Sequence, residues 1–410
     1  MTKDDLRKLL SIPVIVAALG YFVDIYDLLL FSIVRIPSLR GLGIEDQTLL
    51  LDTGETLLMV QMFGLLVGGI IWGIMGDKKG RLSVLFGSIL IYSLANIANG
   101  FVTTVDQYMW LRFIAGIGLA GELGAGITLV SEILPTRLRG YGTTLVATVG
   151  LLGAVLANFI AKTFTWEVSF FIGGGLGLLL LIARVGVVES GMFVKIKEQK
   201  TVSRGNFFQL FTNKSRFMRY LNCILIGLPI WFAIGILITF SPEFAKDLGF
   251  PEGISAGDAV MFSYLGLAAG DMSSGLLSQL FKSRKKIVLV FILLTFVCVL
   301  FYLFPPYKTT FYFHAICFMI GYGTGYWALF VTVAAEQFGT NLRSTVATTV
   351  PNFIRGTVVP IAFSFKILRP EIGIVFAALT VGVVTFLIAL VSLWNLHETF
   401  GKDLNYVEED

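Results

Sequence analysis

Long apolar runs separated by short polar loops dominate this chain of 410 residues. They fall at about 11–35, 55–76, 82–101, 106–134, 141–162 and 167–188, and resume at about 220–241, 258–281, 287–304, 311–336, 345–367 and 372–395. Each is near the ~20 residues a helix needs to cross a hydrocarbon layer ~30 Å thick. In lipid every backbone N–H and C=O needs a partner within the protein, so only helices or closed barrels span it, and runs this long are not barrel strands. Only 14% of the residues are charged and 56% are hydrophobic, whereas a soluble domain carries roughly 25% charged residues. The sequence therefore predicts an all-α membrane protein with twelve transmembrane helices.

A polar stretch at 189–219 divides the runs six and six, giving an N-terminal bundle over 1–188, a linker, and a C-terminal bundle with a short tail over 220–410. Roughly two-thirds of the 31 lysines and arginines lie in loops on the N-terminal side of the membrane, which predicts cytoplasmic termini in a bacterial inner membrane. The first run is long enough to span and reads as a retained helix rather than a cleaved leader. The two halves also repeat. Glu132-Ile-Leu-Pro-Thr136-Arg-Leu138-Arg139 returns 204 residues later as Glu336-Gln-Phe-Gly-Thr340-Asn-Leu342-Arg343, with the same spacing. Gly73-Ile-Met-Gly76-Asp77 returns at nearly the same shift as Gly275-Leu-Leu-Ser-Gln279. Internal symmetry of this kind predicts two pseudo-symmetric six-helix bundles with a substrate site between them, complete within one chain and so monomeric. The basic residues are scattered through loops, which argues against nucleic acid as a partner. Cys223, Cys298 and Cys317 lie within apolar runs and suggest neither a disulfide nor a metal framework.

Between the second and third runs, Gly73-Ile-Met-Gly76-Asp77-Lys78-Lys79-Gly80-Arg81 resembles the loop G-x-x-x-D-[RK]-x-G-R of the major facilitator superfamily. Arg112-Phe-Ile-Ala115-Gly116-Ile-Gly118-Leu-Ala-Gly121-Glu122 is similar to R-x-x-Q-G-x-G-L-x-G-E of its metabolite:proton and aromatic-acid symporters, with Ala115 where glutamine is usual. Asp24-Ile-Tyr26-Asp27 and the tail Glu398-Thr-Phe-Gly401-Lys-Asp-Leu404 resemble motifs of the same branch. The resemblance implies alternating access, no enzymatic activity, and the proton gradient in place of a cofactor. The seventh run, Gly227-Leu-Pro-Ile-Trp-Phe-Ala-Ile-Gly235, lacks the sugar-porter motif. The fifth, around Gly150 and Gly153, lacks the Gly-Pro pair of drug antiporters.

Ionisable residues within the runs are costly, roughly 2.5–3.5 kcal/mol each at the bilayer centre, and so mark pathways and partners. Asp24 and Asp27, at i,i+3, share one helical face. Two carboxylates so close and out of water resist ionising together, as a proton-coupling site requires. Arg112 is their expected partner, and the resemblance implies a proton-controlled pair between Asp27 and Arg112. Glu122 is read either as a second proton stop or as a packing residue. Asp271 and Arg355 either neutralise each other or leave Arg355 to hold a substrate carboxylate through its planar fork. Tyr26, Tyr322, Tyr326, Trp327 and Asn352 complete the expected substrate-binding set. Lys366 and Arg369 are expected to snorkel to the headgroups. Gly73, Asp77, Arg81, Glu132, Arg139, Glu336 and Arg343 form the expected cytoplasmic gate.

These features favour proton-coupled symport of a small metabolite, an organic anion or amino acid. One alternative is a facilitator or exporter, of a divalent metal ion for instance, although the carboxylates are not grouped at ligand spacing within one loop. Another is a non-transporting sensor, against which the short tail and central loop argue.

Overall fold

The computed structural model describes residues 3–79, 81–122, 130, 133–135, 138–189, 207–401 and 408. These are helices and connecting turns, with no strand among the described residues. Beside short helices at Lys3–Leu9, Gln209–Thr212 and Ser241–Asp247, the longer helices among the described residues group into twelve spans. In the first half they are α1 (Ile12–Gly41), α2 (Gln47–Lys79), α3 (Arg81–Asn99), α4 (Val105–Leu119), α5 (Arg139–Leu151 and Gly153–Thr163) and α6 (Trp166–Glu189). In the second half α7 is segmented into Lys214–Leu225, Leu228–Phe232 and the π-turn Ala233–Ile238. It is followed by α8 (Ala256–Leu280), α9 (Arg284–Leu303) and α10 (Thr310–Thr324 and Trp327–Glu336). α11 (Thr340–Gly356) continues into Val358–Asn395, where Gly373, at φ 79° and ψ 163°, breaks the helix and starts α12. A residue with a side chain rarely adopts that conformation, which is why glycine marks this turn.

Helix starts follow local polar chemistry. Thr104, Ser255, Ser283 and Thr309 each accept a hydrogen bond from a backbone N–H in the first turn of the helix they precede, α4, α8, α9 and α10. Asn213 does the same for α7, which therefore begins at Lys214 rather than near 220. α1 runs past the expected end near 35 to Gly41, because Arg35 is buried and paired rather than solvated.

The packing repeats with the chain. α4 lies against α2 and α10 lies against α8, so close that each contact needs a glycine. A Cβ on Gly116 would stand 2.2 Å from the Gln61 carbonyl oxygen, and one on Gly321 1.8 Å from that of Ser263. α1 packs on α5 and α6 as α7 packs on α11 and α12. The halves meet along two symmetry-related seams, α2 against α11 and α5 against α8, with α1 touching α8 between them. The molecule is polar inside and apolar outside. Phe311 and Trp394 are 83% exposed, while Asp24, Asp27, Arg112 and Arg355 are at most 1% exposed. Only a protein whose solvent is lipid gains from that inversion. Below, the terminal face is the one from which α1 starts, and the far face is the one it reaches.

Candidate functional site

A ladder of charges runs beside and along α1 over about 10 Å of helix, from the level of Gly20 to Asp27. On the far-face rung Asp27 faces Arg112 of α4, the strongest opposite charge acting on it. Arg112 spends two of its donors on α3, Nη2 to Asn96 Oδ1 at 2.6 Å and Nε to Asn99 Oδ1 at 3.2 Å, and its guanidinium lies 4.7 Å from the Phe170 ring. Its Nη1 and both oxygens of Asp27 have no hydrogen-bond partner. The two groups are thus juxtaposed but not closed by a hydrogen bond.

One turn nearer the terminal face, Asp24 points across the seam to the other half. Its Oδ2 lies 4.0 Å from Nη2 of Arg355 on α11, with both side chains buried. The Arg355 guanidinium lies 5.7 Å from the Trp231 ring and 5.8 Å from the Trp327 ring, and those rings meet edge to face at 6.2 Å. Cation–π contacts in a dry site contribute about 2 kcal/mol, but they satisfy no N–H. Arg355 Nε and Nη1, Trp231 Nε1 and both Asp24 oxygens remain unpaired. Buried polar atoms without partners are costly, about 1–3 kcal/mol each. A cluster of them inside aromatic walls has the character of a ligand site.

Broken helices build those walls. α10 stops at Thr324 and restarts at Trp327, and Asp271 of α8 accepts a hydrogen bond from Ala328 N at 2.9 Å, capping the restart. α7 breaks after Leu225, restarts with Pro229 in its first turn, and unwinds into the π-turn directly after Trp231 and Phe232. Irregular backbone at membrane depth is tolerated where protein surrounds it, and π-turns recur at functional sites. Trp231 is absent from the expected set. Its signal was Pro229 between Gly227 and Gly235, a sequence that breaks a helix.

The lowest rung belongs to Glu122, three residues past the end of α4, which is gripped by Arg184 of α6. Nη1 donates to Oε2 at 3.0 Å and Nη2 to Oε1, with both side chains buried. Gly20 makes room for this pair, since a Cβ there would fall 2.2 Å from Glu122 Oε1.

The other expected residues sit differently. Asp271 caps α10 and makes no ion pair with Arg355, which faces Asp24 instead. Tyr26 donates to the Ser169 carbonyl at 2.8 Å and Tyr326 to the Ile226 carbonyl at 3.0 Å, each tying two helices of one half. Tyr322 stacks on Phe291 at 5.8 Å, toward α9. Asn352 Nδ2 reaches across the seam to the Ala120 carbonyl at 2.8 Å.

At the far face the halves are joined by ions. Arg35 of α1 pairs with Glu243 at 2.6 Å, Arg369 of α11 with Asp52 and, at 3.3 Å, with Glu55 of α2, and Lys162 of α5 with Asp258 of α8. Lys366 donates to the Asp52 carbonyl and to Thr56 Oγ1, both at 3.1 Å. Lys366 and Arg369 thus seal the seam rather than snorkel, because α2 supplies their acceptors. At the terminal face Glu336 binds Arg284 at 3.4 Å and Thr399 Oγ1 at 2.7 Å, within its own half. Arg343 donates to the Phe338 carbonyl at 3.3 Å. Gly73 lies on the α2–α11 seam, 3.6 Å from Thr349 when measured from a Cβ position. Glu132 and the side chains of Asp77, Arg81 and Arg139 lie outside the described residues.

The sequence model of the Major Facilitator Superfamily matches residues 17–356. A probable 4-methylmuconolactone transporter from Cupriavidus pinatubonensis is 25% identical over 95% of this chain and 91% of its own length. The 4-hydroxybenzoate transporter PcaK from Pseudomonas putida is 32% identical over 34% of this chain and 32% of its own. Among solved structures, the xylose transporter XylE from E. coli, in a partially occluded inward-open conformation, superposes with a TM-score of 0.70. That match covers 96% of this chain and 99% of the other at 16% identity, and shows a common fold.

Proposed function

The chain belongs to the major facilitator superfamily and is a transporter rather than an enzyme, and from that premise we propose that it carries a small organic acid, an aromatic monocarboxylate by preference, together with a proton. The observation that carries this reading is Arg355. Its guanidinium lies near two tryptophan rings and keeps unpaired N–H groups at the seam where the halves meet. A guanidinium fork matches a carboxylate, and tryptophan faces suit a planar ring. The relatives named above, a 4-hydroxybenzoate transporter and a probable 4-methylmuconolactone transporter, point to substrates of related chemistry. Proton coupling draws its support from the Asp27–Arg112 and Asp24–Arg355 rungs, whose open geometry leaves each carboxylate without a donor. With the terminal face in the cytoplasm, the ionic seal closes the outer side and substrate leaves inward.

The test is uptake of labelled benzoate and 4-hydroxybenzoate into vesicles reconstituted with the purified protein. An inward proton gradient should drive accumulation, and Arg355→Lys, which keeps the charge but loses the fork, should abolish it. Accumulation that ignores the gradient would replace symport by facilitated diffusion. An unimpaired Arg355→Lys would remove Arg355 from the substrate site.

A further inference from the structure

The Asp24–Arg355 contact has a feature that a fixed ion pair lacks. It joins the two halves, it is fully buried, and at 4.0 Å it is not a hydrogen bond. Both carboxylate oxygens, and two guanidinium nitrogens, are left without partners. A structural pair of this kind closes to hydrogen-bond distance with more than one bond, as Glu122 and Arg184 do on the next rung, Nη1 to Oε2 at 3.0 Å and Nη2 to Oε1. Asp24 supplies Arg355 with charge and nothing more.

We infer that Asp24 is an internal stand-in for the substrate's carboxylate: the two anions take turns as the counter-ion of Arg355, and a proton on Asp24 is the condition for the substrate to bind. This rests on the organic-acid reading above and assigns the coupling step to one residue. In the empty carrier Asp24 is ionised and neutralises Arg355 across the seam. When a proton binds Asp24, Arg355 keeps its full charge without a counter-ion, and the substrate's carboxylate takes that place with the hydrogen bonds Asp24 never made. One proton and one anion enter together, so the charge balance at the guanidinium is the same before and after. An anion without a proton would place two negative charges against one guanidinium in a dry site, where repulsion is strong. A proton without an anion would leave the guanidinium buried and uncompensated. Both half-loaded states are therefore disfavoured, which is what obligatory coupling requires.

The surroundings allow one group to act so. The charges acting on Asp24 are Arg355 from α11 and Glu122 from just past the end of α4, and Glu122 is already held by Arg184 of α6. Asp24 in turn acts on Tyr21 and Asp27 of its own helix, Tyr92 of α3 and Tyr264 of α8. Asp271 of α8 is engaged at the α10 break. α5 meets α1 with Gly150 and Gly153, so it brings no charge to this depth.

The experiment is calorimetric titration of the purified full-length protein with benzoate, in buffers of different ionisation enthalpy, from pH 5 to 9. Proton uptake on binding is read from the buffer dependence. In the wild type, Kd should rise tenfold per pH unit once Asp24 is ionised, with uptake of one proton per benzoate. In Asp24→Asn, uptake should vanish and Kd should stay at the wild type's low-pH value throughout. If Asp24→Asn keeps the proton uptake, another carboxylate does the coupling and the inference is overturned while the organic-acid reading stands. If it loses benzoate altogether at every pH while the wild type binds, Asp24 is a ligand rather than a competitor, and the inference is again overturned. Should that variant not fold, Asp27→Asn decides: persistent uptake supports Asp24, and lost uptake overturns it. Failure of the wild type to bind benzoate and 4-hydroxybenzoate at any pH would sink both readings together.

Discussion

Removing Arg35 should open the far face. Its side chain is 0% exposed, and its Nη2 makes a single 2.6 Å bond to Glu243 Oε1, while Glu243 is 18% exposed. Breaking one partner of a buried pair costs about 3–5 kcal/mol. Here the partner keeps some water and the bond is monodentate, which points to the lower end or slightly below, about 2–3 kcal/mol. The stacking of the guanidinium on Phe240 at 4.7 Å is lost as well. Because Glu243 regains full hydration only when the halves part, Arg35→Met penalises the closed arrangement selectively. At about 1.4 kcal/mol per factor of ten, the equilibrium moves roughly 30- to 150-fold toward the far-face-open state. The reporter is Thr239→Cys, one turn below the seal and hydrogen-bonded across it to Ser32 at 3.2 Å, in a background with Cys223, Cys298 and Cys317 changed to serine. Labelling by a membrane-impermeant thiol reagent from the far face should accelerate by that factor, and Glu243→Gln should reproduce the effect. A labelling rate within threefold of the parent, in protein that still folds, would refute the assignment of this ion pair to closure.

Two further outcomes follow from the geometry. In the buried Glu122–Arg184 pair, Glu122→Gln should lower stability by about 3–5 kcal/mol, and adding Arg184→Met should recover most of the loss, measured by thermal unfolding in detergent; equal loss in the single and double variants would contradict it. At the terminal face, outside the spans, burial tends to raise the Glu398 carboxyl, but hydrogen bonds from Ser283 Oγ and from the backbone N–H groups of Phe400, Arg284 and Lys285 hold it below the usual carboxylate range. A depressed folded-state value gives stability that is present above the unfolded value of about 4.3 and is lost as pH falls through the folded one. Glu398→Gln should therefore cost under about 1 kcal/mol at pH 7 after solvent screening, and the gap in Tm from the wild type should close below pH 4; a constant gap would contradict the sign.

The helices were legible because in lipid a single variable, the length of an apolar run, decides whether a segment spans. The repeat of Glu132–Arg139 at Glu336–Arg343 gave the two halves, since symmetric folds preserve spacing even where few residues match. The intramembrane charges were legible too: Asp24, Asp27, Arg112, Glu122 and Arg355 stand out against apolar neighbours, and all five are buried. Trp231 was not, because its departure from apolar surroundings is small and its importance lies in which guanidinium it faces.

What the sequence determined by itself was therefore the class of fold, the number of spans and the inventory of costly groups, because each is a property of a single segment in a uniform solvent. What only the tertiary structure decided was partnership. Asp24 looks to Arg355 rather than to Arg112, Glu122 is answered by Arg184, Asp271 caps a broken helix, and Arg369 seals a seam. Those choices depend on the rotation of each helix about its axis and on which half it meets. A turn of 100° per residue moves a side chain from one neighbour to another without altering the hydropathy of the run.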